Sequence, residues 1–337
     1  MPNPRPIADQ YRAALSTGGI VMRDDRALIS VTGNDRAVWL HNLVTNTVKT
    51  LQPGDGNYAF AANIKGRVVF DANMLVLDDR IWLDLDRRWM PAAMEHLDRY
   101  VITEDVKLDD ITSQSRRIAV LGPAAVTMVH QLGLGNLVPM PQLQNIAARI
   151  ADTDARLIRN DFTGLPTAEF IAIGPQSDAV IIAIQSLAVE HELFAISPDT
   201  LNVLRIEAGI PASLDDIDEE VVPPETMQIE RGISYHKGCY LGQEVIERMR
   251  SHNILARRLV GAKIDGDTVP SRNTTIKVAE QDVGRITSGC WSEALGCVLC
   301  LGYVKSAHAK PGVTITVDVA DAPTNGEVVA LPVRASR

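Results

Sequence analysis

One cysteine lies between two glycines in residues 237–244, whose sequence is Lys-Gly-Cys-Tyr-Leu-Gly-Gln-Glu. The glycines permit backbone conformations with positive φ and place no bulky side chain next to the sulfur. From Gln243 the sequence predicts a short helix, so Cys239 would lie just before a helix N-terminus and two residues after Lys237. Both neighbours favour a thiolate over a thiol. The segment therefore predicts a functional thiol at Cys239, and the alternative is a small apolar residue in a buried turn.

The helix predicted from Gln243 has one apolar side and one charged side. Val245 and Ile246 would face the protein interior. Glu244 precedes Arg248 by four residues, which is the spacing at which opposite charges pair on a helix surface. The sequence therefore predicts a short amphipathic helix directly after the cysteine.

The same segment resembles the signature of the YgfZ-type folate-binding proteins, which are relatives of the glycine-cleavage T protein (GcvT, aminomethyltransferase). The family pattern is Lys-Gly-Cys-Tyr-x-Gly-Gln-Glu, with an arginine four residues after the glutamate. Its fixed positions are matched by Lys237, Gly238, Cys239, Tyr240, Gly242, Gln243 and Glu244. Arg248 supplies the arginine. The resemblance implies that these residues form a signature loop around a functional thiol.

Length and composition are those of an ordinary globular protein. The chain has 337 residues, of which 46% are hydrophobic and 22% charged, and a net charge of −9. This length predicts two or three domains. The negative charge argues against a protein held mainly by nucleic-acid phosphates, so we expect no direct nucleic-acid partner. Because no signal or transit peptide and no long apolar run is evident, we expect a cytoplasmic protein without a membrane span.

The remaining cysteines are Cys290, Cys297 and Cys300. So few cysteines without a signal peptide predict a reducing compartment. Cys297 and Cys300 form a C-x-x-C pattern inside an apolar run typical of a strand, where residues three apart point to opposite faces. Zinc would need a second pair of ligands at similar spacing. We therefore expect no metal site.

Two stretches share one plan of strand, glycine turn and amphipathic helix. The first is a strand at residues 27–32 followed by Gly33, and the second is a strand at 117–121 followed by Gly122. A strand followed by a helix recurs downstream of each, at residues 80–100 and 170–190. The repetition predicts a duplicated β-α-β-type unit.

From Arg257 onward the sequence changes to short apolar strands separated by turn residues. Turn signals occur at residues 265–266, 270–271, 311–312 and 325–326. The last predicted strand covers residues 328–333. Closely spaced short strands of this kind predict a small antiparallel barrel as a separate domain.

Other segments, between about residues 18 and 333, also resemble the GcvT superfamily. Val-Thr-Gly-x-Asp at 31–35 and Thr-Asn at 45–46 are similar to its opening, and residues 283–289 are similar to part of its C-terminal barrel. The resemblance implies an α+β fold with three domains around a central channel that holds folate. It combines the duplicated β-α-β-type units with a C-terminal antiparallel β-barrel.

The expected domain boundaries follow from this arrangement, in which the first two domains interleave in sequence. Residues 1–50 and 116–245 are expected to form the first α+β domain, and residues 51–115 the second. Residues 246–337 are expected to form the barrel.

The resemblance also implies folate-binding residues. Residues 205–209, Arg-Ile-Glu-Ala-Gly, resemble the superfamily's Arg-x-Glu-x-Gly segment, whose glutamate contacts the pterin ring. Glu207 is therefore expected to bind folate, with Arg205 beside it. A carboxylate can accept two N–H donors from the 2-amino-pyrimidinone edge. Alternatively, Glu207 is a solvated side chain near a helix end and Arg205 pairs with a neighbouring carboxylate.

Residues 66–71 differ from the aminomethyltransferases, which resemble Gly-Gly-x-x-Asp-Asp in this region. Here Arg67 replaces a glycine and Phe70 replaces the first acid. An acid there is expected to help aminomethyl transfer to folate, so Phe70 predicts little transferase activity. Asp71 could partly substitute and is a third candidate for the folate site, or it could face water on an alternating strand.

The resemblance leaves several functions open. The leading hypothesis is a tetrahydrofolate-binding protein of the YgfZ type that supports assembly, repair or maintenance of iron–sulfur enzymes, including radical enzymes that modify tRNA. Its partners would be folate and iron–sulfur proteins or their assembly factors. The alternative is an enzyme, a folate-dependent aminomethyltransferase or methyltransferase of the T-protein type. A third hypothesis is a barrel-based interaction module with a vestigial pocket.

Overall fold

The structure, a computed structural model, describes residues 6–251 and 254–334. In these ranges the chain forms two open β-sheets, a closed β-barrel and eight α-helices. The strands are β1 (Gly19–Met22), β2 (Arg26–Thr32), β3 (Gly56–Ala62), β4 (Val68–Val76), β5 (Ile81–Asp86), β6 (Lys107–Asp110), β7 (Ser115–Leu121), β8 (Asn145–Ile150), β9 (Thr153–Arg159), β10 (Thr167–Ile173), β11 (Phe194–Ala195), β12 (Arg257–Ile264), β13 (Thr275–Val278), β14 (Gln281–Ser292), β15 (Cys297–Lys305), β16 (Thr314–Val319) and β17 (Ala322–Val329). The helices are α1 (Ile7–Ser16), α2 (Arg36–Leu43), α3 (Met90–Asp98), α4 (Pro123–Gln131), α5 (Ser177–Glu190), α6 (Pro198–Glu207), α7 (Ile229–Gly232) and α8 (Gln243–Ser251).

The two open sheets repeat one topology. One sheet has the order β3-β4-β5-β2-β6, and the other has the order β8-β9-β10-β7-β1-β11. In each sheet the chain runs as strand, helix, three strands, helix, from β2 to α3 and from β7 to α5. Gly33 and Gly122 turn the chain after the first strand of each unit with φ of 102° and 83°, a region that favours glycine. The predicted duplication is confirmed, and the repeated unit has four strands and two helices, which is larger than the predicted β-α-β unit.

Strand β2 belongs to the five-stranded sheet, where it pairs with β5 and β6. The expected domain division placed residues 1–50 with the other α+β domain. Sheet membership instead groups β2 with the strands of residues 51–115, because its neighbours in the sheet are all drawn from there. The division into domains stays a prediction, and this pairing would move its first boundary to the connection between β1 and β2.

The C-terminal strands close into a barrel with the order β12-β15-β14-β13-β16-β17, and all its pairs are antiparallel. This confirms the α+β fold with a C-terminal antiparallel barrel. The final strand was predicted at residues 328–333 but spans Ala322–Val329. The difference arises because Asn325 and Gly326, expected in a turn, lie within the strand.

Apolar burial holds these parts together in layers. One face of the six-stranded sheet packs on α4 and α5, while residues such as Ile158 and Ile171 on its other face join the core of the five-stranded sheet. Helices α1 and α6 pack against the outside of the barrel through residues that include Tyr11, Leu204 and Leu301. Helix α6 therefore spans from the junction of the two sheets to the barrel.

Candidate functional site

A cavity of about 740 Å³ lies where the two α+β units meet. Its walls come from the β1–β2 connection, from β3 and β4, from α6 and from the loop after α6. Phe162, Leu201 and Ile210 contribute apolar wall, and the volume is within the usual range for cofactor sites. The cavity is therefore the main candidate site in the described part of the chain.

Charged side chains of both signs line the cavity. The cations are Arg23, Arg26, Arg87, Arg88, Arg205 and Arg231, and the acids are Asp24, Asp25, Asp71, Asp86 and Asp215. Arg88 is held in ion pairs with Asp86 and Asp215. In contrast, Arg87 and Arg231 are exposed and form none of the ion pairs found among residues 6–251 and 254–334. Arg231 instead stacks on the ring of Tyr58 at 4.1 Å.

Asp71 is the buried acid of the cavity, at 7% exposure. Its Oδ1 accepts hydrogen bonds from Trp89 Nε1 at 3.0 Å and Ser213 Oγ at 2.7 Å, and its Oδ2 accepts one from the Tyr58 hydroxyl at 2.9 Å. Burial and the Asp71 charge raise the pKa of Tyr58 well above its ordinary value, so the phenol stays a donor. Because Oδ2 receives a single protein donor, Asp71 keeps acceptor capacity for a ligand N–H.

Phe70 and Asp71 point to opposite faces of β4, as successive strand residues must. Phe70 is fully buried, with its ring 6.1 Å from that of His96. Position 70 therefore faces the hydrophobic core and not the cavity. The expectation that Phe70 removes a reactive acid from the folate site is not supported, because the acid that lines the cavity is the one present in this chain, Asp71.

Arg205 lines the cavity from α6, as expected for a site residue. Its guanidinium pairs with the fully buried Asp216 at 2.7 Å and donates to Ser288 Oγ at 2.8 Å. The second contact reaches the barrel. Arg205 therefore joins the cavity wall, the loop after α6 and the barrel, and the alternative of an ion pair with a neighbouring carboxylate is also realised.

Glu207 lies outside the cavity and is fully buried. Oε1 accepts from Ser292 Oγ at 2.7 Å and from the backbone N–H of Ala294 at 3.0 Å. Oε2 accepts from the Tyr11 hydroxyl at 2.6 Å and lies 3.4 Å from Arg334. Because both carboxylate oxygens already accept from protein donors, Glu207 offers no acceptor to a ligand in the cavity. The expectation that it contacts the pterin is corrected to a structural role at the end of α6.

The signature loop, residues 237–242, lies apart from the cavity lining. Cys239 is exposed, and no atom approaches within 4 Å of the position that a Cβ on Gly238 would take. The loop ends at Gly242, where φ is 81° and an added Cβ would lie 2.6 Å from the Asn63 carbonyl oxygen. An accessible thiol in a tight loop before α8 is thus present as predicted, while its function stays a prediction.

Backbone carbonyl groups hold the side chain of Lys237. Its Nζ donates to the carbonyl oxygens of His41, Val44 and Asn46, which uses all three N–H donors of an ammonium group. Burial lowers the pKa of Lys237 to about 7, while the three carbonyl acceptors favour its protonated form. The cation caps the C-terminal end of α2, where positive charge is favourable. It also lies 4.9 Å from the centre of the Tyr240 ring, which is buried.

Helix α8 follows the loop at the predicted residue, Gln243. Ile246 is buried as expected. The predicted pair between Glu244 and Arg248 is wrong, because among the described residues the ion pair on this helix joins Glu247 to Arg250 at 3.9 Å.

Asn46 connects the cavity to the signature loop, a role that sequence reasoning missed. Its side-chain Nδ2 donates to the backbone carbonyl of Tyr58 at 2.9 Å, and its backbone carbonyl accepts from Lys237 Nζ at 2.8 Å. The neighbouring Thr45 hydroxyl donates to the Gly232 carbonyl at 2.6 Å. In the sequence, the Thr-Asn pair indicates only a superfamily motif. Its side-chain contacts join residues far apart in the chain, which local pattern cannot indicate.

The described residues contain no group of three or more His, Cys, Asp or Glu side chains placed to hold a metal. Burial raises the pKa of the Cys290 and Cys300 thiols to about 12. Among the helices of residues 6–251 and 254–334, none is long and apolar enough to cross a membrane.

Comparison with known proteins places the chain in a family. Residues 5–237 match the GCVT N-terminal domain family, and residues 257–333 match the glycine cleavage T-protein C-terminal barrel domain family. An aminomethyltransferase of Thermoanaerobacter pseudethanolicus is 24% identical over 338 residues, covering 96% of this chain and 88% of that protein. A chloroplastic protein of Arabidopsis thaliana, provisionally named a transferase, is 26% identical over 300 residues, which are 86% of this chain and 66% of that protein.

The fold has a close counterpart among solved structures. The crystal structure of glycine cleavage system aminomethyltransferase T from Bartonella henselae superposes with a TM-score of 0.84 at 17% identity, covering 99% of this chain and 91% of that chain. This confirms the predicted three-domain fold. Since the N-terminal family match alone spans more than half of the residues, the chain belongs to the GcvT superfamily, the family of the glycine-cleavage T protein.

Proposed function

We propose that this protein binds tetrahydrofolate in the cavity between the α+β units and acts in folate-dependent transfer of an aminomethyl or related one-carbon group. The observation that carries the proposal is Asp71, a buried carboxylate on the cavity wall whose Oδ2 has one protein donor and room for another. The T-protein relatives, which are named aminomethyltransferases, support the same reaction class.

The cavity residues fit a folate. A pterin presents a flat ring with N–H donors on one edge, and the cavity offers apolar wall at Phe162, Leu201 and Ile210 together with the acceptor at Asp71. The glutamate tail of folate is anionic. Arg87 and Arg231 line the cavity, are exposed and have no carboxylate partner among the described residues. These two guanidinium groups are therefore available to bind the anionic tail.

Tetrahydrofolate, when bound, supplies the amine nitrogens that accept the one-carbon unit. The role assigned to Asp71 is to hold and orient an N–H group by its free Oδ2 lone pair. Trp89, Ser213 and Tyr58 fix the carboxylate in one orientation through their three hydrogen bonds. A carboxylate held in this way needs little reorganisation when positive charge develops on a nearby amine.

The test is a coupled assay with tetrahydrofolate and an aminomethylated carrier protein. We expect turnover by the wild-type protein and a large loss of kcat in Asp71→Asn. Folate binding without turnover in the wild type would remove the transferase function and leave the second candidate below.

The second candidate is a YgfZ-type accessory function, favoured by one specific observation. Residues 238–242 of the signature loop and helix α8 lie between the two family matches, of which the first ends at residue 237 and the second begins at residue 257. Cys239 is exposed there. In this alternative, folate binding in the cavity accompanies a thiol function that supports iron–sulfur proteins, including radical enzymes that modify tRNA.

A deletion strain tests the second candidate. Its iron–sulfur enzyme activities should fall, and they should be restored by the wild type but not by Cys239→Ala. Cys290→Ala is the matched control, because that thiol is buried in the barrel wall. Normal iron–sulfur activities in the deletion strain would eliminate the accessory function.

A further inference from the structure

Two asparagines line the cavity, one from each α+β unit, and the amide group of each is held by a buried carboxylate. Asn73 lies on β4, two residues after Asp71 and on the same face of the strand. Its Nδ2 donates to Asp84 Oδ2 at 2.8 Å. Arg26 and Arg117 donate to the other oxygen, Asp84 Oδ1, and fix the carboxylate. The amide of Asn73 is therefore held in one orientation.

Asn160 repeats this arrangement in the other unit, directly after β9. Its Nδ2 donates to Glu169 Oε2 at 3.1 Å, and Arg23 donates to Glu169 Oε1 at 2.6 Å. The side chains of Glu169 and Asp84 are each 2% exposed and paired with arginine. Because an ionised carboxylate only accepts hydrogen bonds, each asparagine must turn its NH2 group toward the carboxylate and its Oδ1 away from it.

The two amide oxygens are open to the cavity. Asn73 is 8% exposed and Asn160 is 9% exposed, and both lie in the cavity wall. The described residues donate no hydrogen bond to either Oδ1, and neither oxygen is sealed off by protein atoms. A ligand that fills the cavity displaces water from these oxygens. It must then offer an N–H or O–H donor to each, because an acceptor left unpaired weakens binding.

We propose that Asn73 and Asn160 select the reduced pterin ring over the oxidised one. Tetrahydrofolate carries N–H donors at N5 and N8, on opposite edges of its reduced ring, whereas N5 and N8 of folic acid carry lone pairs. The donors of the 2-amino-pyrimidinone edge are common to both compounds, so they provide no such selection and remain available to Asp71. The two asparagines belong to different units, which suits donors on opposite edges of the ring. The inference rests on the folate site proposed above and adds the oxidation state of its ligand.

Titration of the wild-type protein with four folates gives the first test. Under anaerobic conditions, the dissociation constant of folic acid should be at least about 25-fold above that of tetrahydrofolate, because each of the two unpaired acceptors weakens binding about 5-fold or more. In 5-deaza- and 8-deaza-tetrahydrofolate, CH2 replaces one of the two N–H groups, and each analogue should bind more weakly than tetrahydrofolate.

The outcomes of this titration separate the selection from the site. Equal dissociation constants for folic acid and tetrahydrofolate, or for tetrahydrofolate and both deaza analogues, would overturn the selection and leave the folate site in place. Failure of all four compounds to bind would overturn the folate site and the selection together.

Substitution of each asparagine assigns the selection to its oxygen. In Asn73→Leu and Asn160→Leu, which keep the side-chain size but lose the acceptor, the ratio of the folic acid to the tetrahydrofolate dissociation constant should fall at least about 5-fold. Asn202→Leu is the matched control, because Asn202 also lines the cavity but is half-buried and keeps access to water, so the ratio should not change. A merely structural role would raise both dissociation constants together. An unchanged ratio in both variants, or an equal fall in Asn202→Leu, would contradict the proposal, and the four-folate titration of the wild type decides it if a variant does not fold.

Discussion

Replacing Asp71 by asparagine separates the folate-binding role of this residue from its structural one. The amide oxygen can still accept from Trp89 and Ser213, as Oδ1 does now. The amide nitrogen would then face the Tyr58 hydroxyl, which can turn from donor to acceptor. Since every protein hydrogen bond has a replacement, we expect the free energy of unfolding to change by less than about 1 kcal/mol.

The ligand has no such replacement. An N–H of the bound folate that faces Oδ2 in the wild type would face an N–H in the variant. A hydrogen bond to a charged group contributes about 1.5–3 kcal/mol, so the dissociation constant for tetrahydrofolate should rise about 10- to 150-fold. Isothermal titration under anaerobic conditions measures it.

Glu207→Gln is the matched control, because it makes the same chemical change outside the cavity. The variant loses the charge that faces Arg334 and turns an amide N–H toward a protein donor. We expect unfolding to become easier by about 1–3 kcal/mol, with the folate dissociation constant unchanged. The opposite pattern, with weaker binding in Glu207→Gln and normal binding in Asp71→Asn, would refute the assignment of the cavity as the folate site.

Three further predictions concern the loop and the core. Cys239 should react first with a thiol reagent, because the other three thiols are less exposed. Cys239→Ala should keep the wild-type Tm. Slow labelling of Cys239 would contradict its exposure. Gly242→Ala should lower the free energy of unfolding by about 1–3 kcal/mol, because residue 242 has a positive φ and an added Cβ would clash with a carbonyl oxygen. Gly238→Ala should leave the free energy of unfolding unchanged, because that position is open. Equal unfolding midpoints of the two variants would be inconsistent with the loop geometry. Burial lowers the pKa of His96 to about 4, below its ordinary 6.5, so its contribution to stability is present above pH 6.5 and is lost as the pH falls toward 4. Between pH 7 and pH 4, the unfolding midpoint should therefore fall less steeply in His96→Phe than in the wild type. Identical slopes would show that protonation of His96 does not contribute to the loss of stability in acid.

Local features were predictable where the information is local. Glycine turns, proline helix starts and short alternating strands predicted the duplicated units and the barrel, since each depends on residues close in sequence. The accessible Cys239 before α8 follows from the same kind of reasoning. Strand alternation likewise places Phe70 and Asp71 on opposite faces of β4.

The roles of Glu207 and Lys237 depend on partners that no local pattern reveals. Glu207 meets Tyr11 and Ser292, which lie 196 and 85 residues away in the chain. Lys237 donates to carbonyl groups at the end of α2, nearly 200 residues earlier in the chain. Both residue types are common in binding sites. Only the long-range packing shows that their polar atoms are already hydrogen-bonded within the protein.

The carboxylate of Glu207 also imposes an order of events during synthesis. Of its partners, only Tyr11 precedes it in the chain, while Ser292, Ala294 and Arg334 emerge from the ribosome later. Until then, docking the end of α6 into an apolar environment would bury a charge with one donor, which is unfavourable. The two α+β units can therefore form while the end of α6 is still hydrated. Final docking of that helix therefore follows the synthesis of the barrel strands, which complete the anchoring of the helix that lines the cavity.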